Sequence, residues 1–128
     1  MKRISLDQLA PILAALPDAP RVVVSGNFAT PKALMAAFDA AVPTYTLHAL
    51  NAQRGLPERD GVTYETCFVG PGMRRSPTLR YVPCRLSLVP VLFRRSLPPD
   101  VVLLHTSAPR HDTVSLGTEV NVLPAAIE

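Results

Sequence analysis

Two short glycine-bearing stretches hold the residues best suited to chemistry: Ser25, Gly26, Asn27, Phe28 and Ala29, and then Val69, Gly70, Pro71, Gly72 and Met73. Glycine removes the side chain that would keep a ligand off the main chain, and backbone N–H groups in such loops can receive an anion or a developing oxyanion. Both stretches also read as plain turns, since a Pro-Gly pair bends a chain without any ligand. Ser25 with His48 or His105 is the nearest approach to a hydrolase set. However, Val23 stands where a G-x-S-x-G elbow needs glycine, and no carboxylate is identifiable as the orienting acid. The histidines lack a third ligand at metal-binding spacing and read as hydrogen-bonded side chains at strand ends. Cys67 and Cys84 form neither a C-x-x-C pair nor a zinc spacing, so they read as buried free thiols.

These residues need elements to position them, and the sequence alternates strand with helix. "RVVVS" (Arg21 to Ser25) is a β-branched run, and "TPKALMAAFDAA" follows it with Thr30 as N-cap, Pro31 at the first helical position, and Leu34, Phe38 and Ala41 on one face. Strands are expected over Thr44 to Leu50 and Val62 to Val69, with the polar "NAQRGLPERDG" as a loop between them. A helix capped by Ser87, with Pro90 in its first turn, runs to Arg94 and Arg95 and stops before Pro98 and Pro99. "DVVLLHTS" (Asp100 to Ser107) is apolar enough for a strand covered on both faces, and "HDTVSLG" suits a short turn or strand. Near the start, Ser5 and Gln8 resemble a capping box, but Pro11 would kink a helix begun there.

The pattern predicts an α/β fold with an open, mostly parallel sheet and helices on both faces. Ligands of such sheets bind outside the carboxyl ends of the strands. That rule selects "SGNFATP", "HAL", "VGPGMRR" and "HTSAPR".

Composition narrows the function classes. With 128 residues, 48% hydrophobic and 18% charged, the chain suits one globular domain, and no apolar run is long enough to span a bilayer. The opening residues lack a secretory design because Asp7, Gln8 and Pro11 interrupt their apolar part, so the chain reads as cytoplasmic. A net charge of +3 suits an anionic ligand, but the arginines are scattered rather than gathered on one stripe, which argues against nucleic acid.

Taken in order, "VVVSGNFATPKALMAAF", "FVGPGMR", "YVPCRLSLVPVLF" and "PDVVLLHTSAPRHDTVSLGTEVNVLPAAIE" resemble the amino-terminal part of the acetyl-CoA hydrolase and CoA-transferase family, which includes 4-hydroxybutyrate CoA-transferases. The resemblance runs from about Arg21 onward. It implies one of two related α/β domains with the active site between them, acyl-CoA and a small carboxylate as substrates, and no permanently bound cofactor; a homo-oligomer is expected separately, from the apolar tail at the chain's end. It also implies a glutamate nucleophile that forms an anhydride and then a glutamyl-CoA thioester. That glutamate belongs to the family's second domain, so no catalytic residue is assigned here and no metal is implied.

Under this resemblance the two glycine loops would face the thioester oxygen, and Arg74 and Arg75, with Arg80 near them, would reach CoA phosphates. Arg85 and Leu88 depart from the family, where relatives often carry histidine before "LS" and aspartate after it. Glu119 reads as a first-turn residue favoured by a helix dipole rather than as a nucleophile. The alternative function is a non-catalytic module that binds CoA or a partner.

The ending "LPAAIE" starts a helix at Asn121 or Leu123 with Pro124 in its first turn. One turn is unstable in water, so the chain reads as the front part of a larger protein, with Leu123 and Ile127 expected to seek a partner or a second copy.

Overall fold

A computed structural model describes residues 2–128. Five strands, β1 (Arg21–Val24), β2 (Tyr45–His48), β3 (Val62–Thr66), β4 (Leu79–Tyr81) and β5 (Val101–Leu103), form one sheet in the order β4-β3-β2-β1-β5. Every neighbouring pair is parallel, and the sheet is open. The expected α/β class is therefore the observed one.

Four helices cover the sheet: α1 (Ala10–Leu13), α2 (Lys32–Ala41), α3 (Val89–Arg95) and α4 (Leu123–Ile127). The uninterrupted Val22-Val23-Val24 run explains itself in this arrangement. Val22 and Val24 join the core with Leu13, Met35 and Phe38 of α1 and α2, whereas Val23 joins Val89, Phe93, Leu123 and Ala126 of α3 and α4. A parallel strand buried on both faces has no position left for a polar residue.

Several boundaries moved, each for a local reason. Thr30 does not cap α2, because its hydroxyl donates to the Ser25 carbonyl at 3.0 Å, and Pro31 takes the N-cap position instead. Met35, not Ala41, joins Phe38 on the buried face of α2, while Leu34 is half-buried against the same core. Ser87 caps nothing: Leu86–Leu88 form a single 3-10 turn, and α3 starts at Val89 with Pro90 in its first turn. Strand β4 was not anticipated. It is three residues long, half-buried to exposed, and carries no alternation that a sequence pattern can reveal.

The first segment splits at Pro11 as the proline demands. Gln8 Oε1 accepts from the Ser5 N–H at 3.1 Å to close the turn Leu6–Gln8, and α1 begins afresh at Ala10. In "HDTVSLG" only Thr113 is paired, through an isolated antiparallel bridge to Arg110 just before the stretch.

One part of the tail reading is corrected: Leu123 is not left for a partner to cover. Leu123 and Ala126 are buried against Val89 and Phe93, and the Arg94 guanidinium pairs with the Glu128 carboxylate. The short helix is thus held by its own chain through a surface to pack on, which is what one turn requires. Ile127 stays half-exposed.

At the amino-terminal edge of the sheet, Arg59 ties α2 to the loop before β3. It donates to the Asp39 carboxylate at 3.0 Å and to the carbonyls of Pro43, Asp60, Asp39 and Val42. Tyr45 donates to Asp39 at 2.7 Å; burial first, and then that bond, push its phenol far above the ordinary range, so it remains a donor. This polar knot fixes the edge opposite the candidate site.

Candidate functional site at the carboxyl edge

Strands β1 to β4 progress outward in one direction, and the chain then returns to add β5 on the other side of β1. The reversal places a crevice between the loops that leave β1 and β5, where open parallel sheets accept ligands. The two loops are stitched at their base. Ser25 N donates to the Leu103 carbonyl at 3.1 Å, and His105 N donates to the Ser25 hydroxyl oxygen at 3.3 Å. Ser25 is fully buried in these bonds, so it is a strut between the two strands and not a nucleophile. Above it opens a cleft of about 360 Å³ walled by Phe28, His105, Ser107, Leu116 and Thr118.

The two glycine loops share the edge but do not touch as side-by-side partners. The segment after β2, Ala49 to Gln53, lies between them, and Asn51 N donates to the Phe68 carbonyl at 2.8 Å. The glycines serve this packing. A Cβ on Gly26 would stand 2.0 Å from the Leu50 carbonyl oxygen, one on Gly70 2.4 Å from Ala52 N, and one on Gly72 2.2 Å from the Gln53 carbonyl oxygen. The close approach that glycine permits is made here by the chain's own backbone.

This revises the role of Val69 to Met73. Gly72 N donates to the Ala52 carbonyl at 2.8 Å and Met73 N to the Gly70 carbonyl at 3.2 Å, so neither amide is open to an oxyanion. Met73 is fully buried in the main core, Gly70 is buried, and Val69 is half-buried. Of that loop only Pro71 and Gly72 line an open cleft, together with Arg74 and Arg75. This cleft measures about 430 Å³ and is also walled by Arg54 and Glu58. Arg80 lies on β4 outside it.

Three asparagines and one glutamate lock the first loop in place. Asn27 Nδ2 donates to Glu119 Oε1 at 2.6 Å, Asn121 Nδ2 donates to the same oxygen, and Asn51 Nδ2 donates to Asn27 Oδ1. All three asparagines have positive φ, which asparagine tolerates better than other side chains. Glu119 is 6% exposed and lies in a turn ahead of α4, not in that helix's first turn. Its carboxylate organises the crevice wall from the far side of the sequence.

Beneath the edge, Arg21, His48 and Glu65 form a buried polar group. Glu65 Oε1 accepts from Arg21 Nε at 3.1 Å and lies 3.1 Å from His48 Nδ1; Glu65 and His48 are both fully buried. A carboxylate only accepts, so the proton of that second bond sits on Nδ1. Burial raises the Glu65 carboxyl, but hydrogen bonds from His48 and Arg21 and the arginine's charge outweigh it and hold the group below the ordinary 4.5. His48 Nε2 and Glu65 Oε2 have no partner among the described residues. The His48 ring stands edge-on to Phe93 at 5.1 Å between centroids, so the histidine is a hydrogen-bonded strand-end residue, as expected.

Cys67 and Cys84 are both free. Burial, with Cys84 and Glu65 nearby, pushes the Cys67 thiol up to about 11, far from the thiolate that redox or nucleophilic chemistry requires.

Of the residues expected at the site, Asn27 and Phe28 line clefts, whereas Ser25 and Gly26 are buried beneath them and Val69 to Met73 is mainly a supporting loop. Arg54 joins Arg74 and Arg75 from the loop after β2; His105 to Ser107, from the stretch selected after the last strand, and Leu116 to Thr118 complete the crevice, with Glu119 buried behind it. The position of His105 after a strand end was legible, but the return of Leu116 to Glu119 across Asn27 depends on tertiary structure. Among the described residues, no group of three or more His, Cys, Asp or Glu is placed to hold a metal ion, and no helix is long and apolar enough to cross a membrane. The chain matches no protein-family model, and a search of curated proteins finds no match for it.

Proposed function

We propose that this chain is the acyl-CoA-binding domain of a CoA-transferase or acyl-CoA hydrolase, presenting the thioester at the β1/β5 crevice to a carboxylate nucleophile. One observation carries the reading. The segments that resemble the family, "SGNFATP", "FVGPGMR" and "HTSAPRHDTVSLGTEV", are far apart in sequence, and the fold collects all three at the carboxyl edge. A resemblance confined to core strands would have carried no such implication.

The chemistry is an acyl transfer in balanced steps. A carboxylate oxygen attacks the thioester carbonyl, the C–S bond breaks, and CoA thiolate leaves a mixed anhydride. Thiolate then attacks the enzyme's own carbonyl, forms an enzyme thioester and releases the acyl carboxylate; a second carboxylate, or water, completes the cycle. This chain's part is to bind and orient the thioester. The nucleophile comes from a second domain or subunit, with acyl-CoA and a small carboxylate as the substrates. Glu119 is a poor substitute, because its Oε1 already accepts two amide N–H bonds that hold the crevice wall.

A second reading, CoA binding without chemistry, is favoured by the bonded amides of Gly72 and Met73, which offer no oxyanion site. Thioester turnover separates the two. The purified chain alone is expected to give no hydrolysis or transfer above background, and addition of a matching second domain should raise turnover by orders of magnitude. Robust turnover by the chain alone that disappears in Glu119→Gln would move the nucleophile into this chain. CoA binding with no turnover in any combination would favour the binding module.

A further inference from the structure

Three clefts share their walls. The basic cleft and a small cleft of about 90 Å³ have Arg54, Gly55 and Leu56 in common, and the small cleft meets the switch-point cleft at Phe28. Taken in series, the three make a trough that runs from the loops after β2 and β3, past Phe28, to the crevice between β1 and β5. Phe28 stands at the divide, 92% exposed, the most exposed of the large hydrophobic side chains. A bare aromatic ring on a ligand-binding edge is a contact surface waiting for an apolar group.

Charge along the trough is one-sided. Lys32, Arg54, Arg74 and Arg75 line its first two clefts against the single carboxylate of Glu58. Beyond Phe28 the lining holds no Lys, Arg, Asp or Glu. None of the four cations is salt-bridged among the described residues, and Arg74 makes only a 3.4 Å bond to the Val69 carbonyl. Guanidinium groups with most donors unused are suited to phosphate oxygens, which they hold as paired N–H bonds.

We propose that the trough takes one extended ligand lengthwise and in a fixed direction: a phosphate-bearing end among Arg54, Arg74 and Arg75, an apolar middle across Phe28, and the reacting end at His105, Ser107 and Thr118. The inference rests on the acyl-CoA reading above and adds its direction. The nucleotide phosphates lie on the β2/β3 side, pantetheine crosses Phe28, and the thioester reaches the switch point. The crevice that receives the reacting group is then the part of the trough whose lining has no Lys, Arg, Asp or Glu, where water is more readily displaced and a nearby dipole acts more strongly.

Calorimetric titration of the full chain with CoA, adenosine 3′,5′-bisphosphate and pantetheine tests the direction. The triple variant Arg54→Ala, Arg74→Ala, Arg75→Ala alters only exposed side chains, and circular dichroism checks its fold. It should weaken CoA and the bisphosphate by about tenfold or more while leaving pantetheine unchanged. Phe28→Ala should weaken CoA and pantetheine and spare the bisphosphate. Undiminished CoA binding by the triple variant, or selective loss of the bisphosphate in Phe28→Ala, would overturn the direction and leave the acyl-CoA reading standing. Failure of the unaltered chain to bind CoA would overturn that reading and this inference together.

Discussion

Gly70→Ala is expected to cost the domain about 3 kcal/mol of stability. The added methyl would sit 2.4 Å from three backbone atoms, Ala52 N, Ala52 O and Asn51 C. No rotamer change relieves a clash with main chain, so the loop after β2 must move. That loop is also bonded to both flanks, through Asn51 N to the Phe68 carbonyl and through Asn51 Nδ2 to Asn27. Gly26→Ala should behave the same way, because its methyl would lie 2.0 Å from the Leu50 carbonyl oxygen. Gly55→Ala is the comparison: φ is +96° but nothing lies within 4 Å, so only backbone strain of about 1 to 2 kcal/mol is expected. Urea midpoints at constant slope measure all three. A Gly70→Ala protein as stable as Gly55→Ala would show that the three edge loops are not packed as described.

The second large effect concerns Glu65. Glu65→Ala should cost about 3 to 5 kcal/mol, because it leaves a buried histidine N–H and a half-buried arginine without their acceptor. The same group sets a pH dependence. Its folded carboxyl lies below the ordinary 4.5, so ionised Glu65 stabilises the fold at pH values above that of the unfolded chain. This stability is lost as pH falls from about 4.5 through the folded value. Glu65→Gln keeps the shape and removes the titration, so its urea midpoint should vary less than the unaltered protein's below pH 4.5. Identical pH profiles for the two proteins would mean that Glu65 does not carry the charge assigned to it.

The α/β class was legible because Val22 to Val24 and Val101 to Leu104 are short β-branched and apolar runs, set between helical segments, that suit parallel strands with a core on each face. The helix starts were legible to within a residue or two through Pro31 and Pro90. Strand β4 was not, since Leu79–Tyr81 is an edge strand too short to carry a pattern. The site was half legible for a similar reason. Glycines at Gly26, Gly70 and Gly72 announce a close approach without saying what approaches, and here it is the loop after β2 and not a ligand. Glu119 looked like a helix-start residue because nothing in its neighbours records that Asn27, ninety-two positions earlier, reaches its carboxylate. Sheet order decides both points: it puts the loop after β2 between the glycine loops and the crevice between β1 and β5.

The proposed acyl-CoA would lie with its reacting end at the carboxyl edge of the sheet, between β1 and β5. Titrating the ¹⁵N-labelled chain with CoA and following its amide resonances tests it directly. The account predicts graded shifts at Phe28, Ala29, His105 to Ser107, Gly117 and Thr118, with a second group at Arg54, Gly55, Gly72, Arg74 and Arg75. Shifts confined to the opposite edge, at Thr44, Gly61 and Thr78, or no shifts at millimolar CoA, would contradict it.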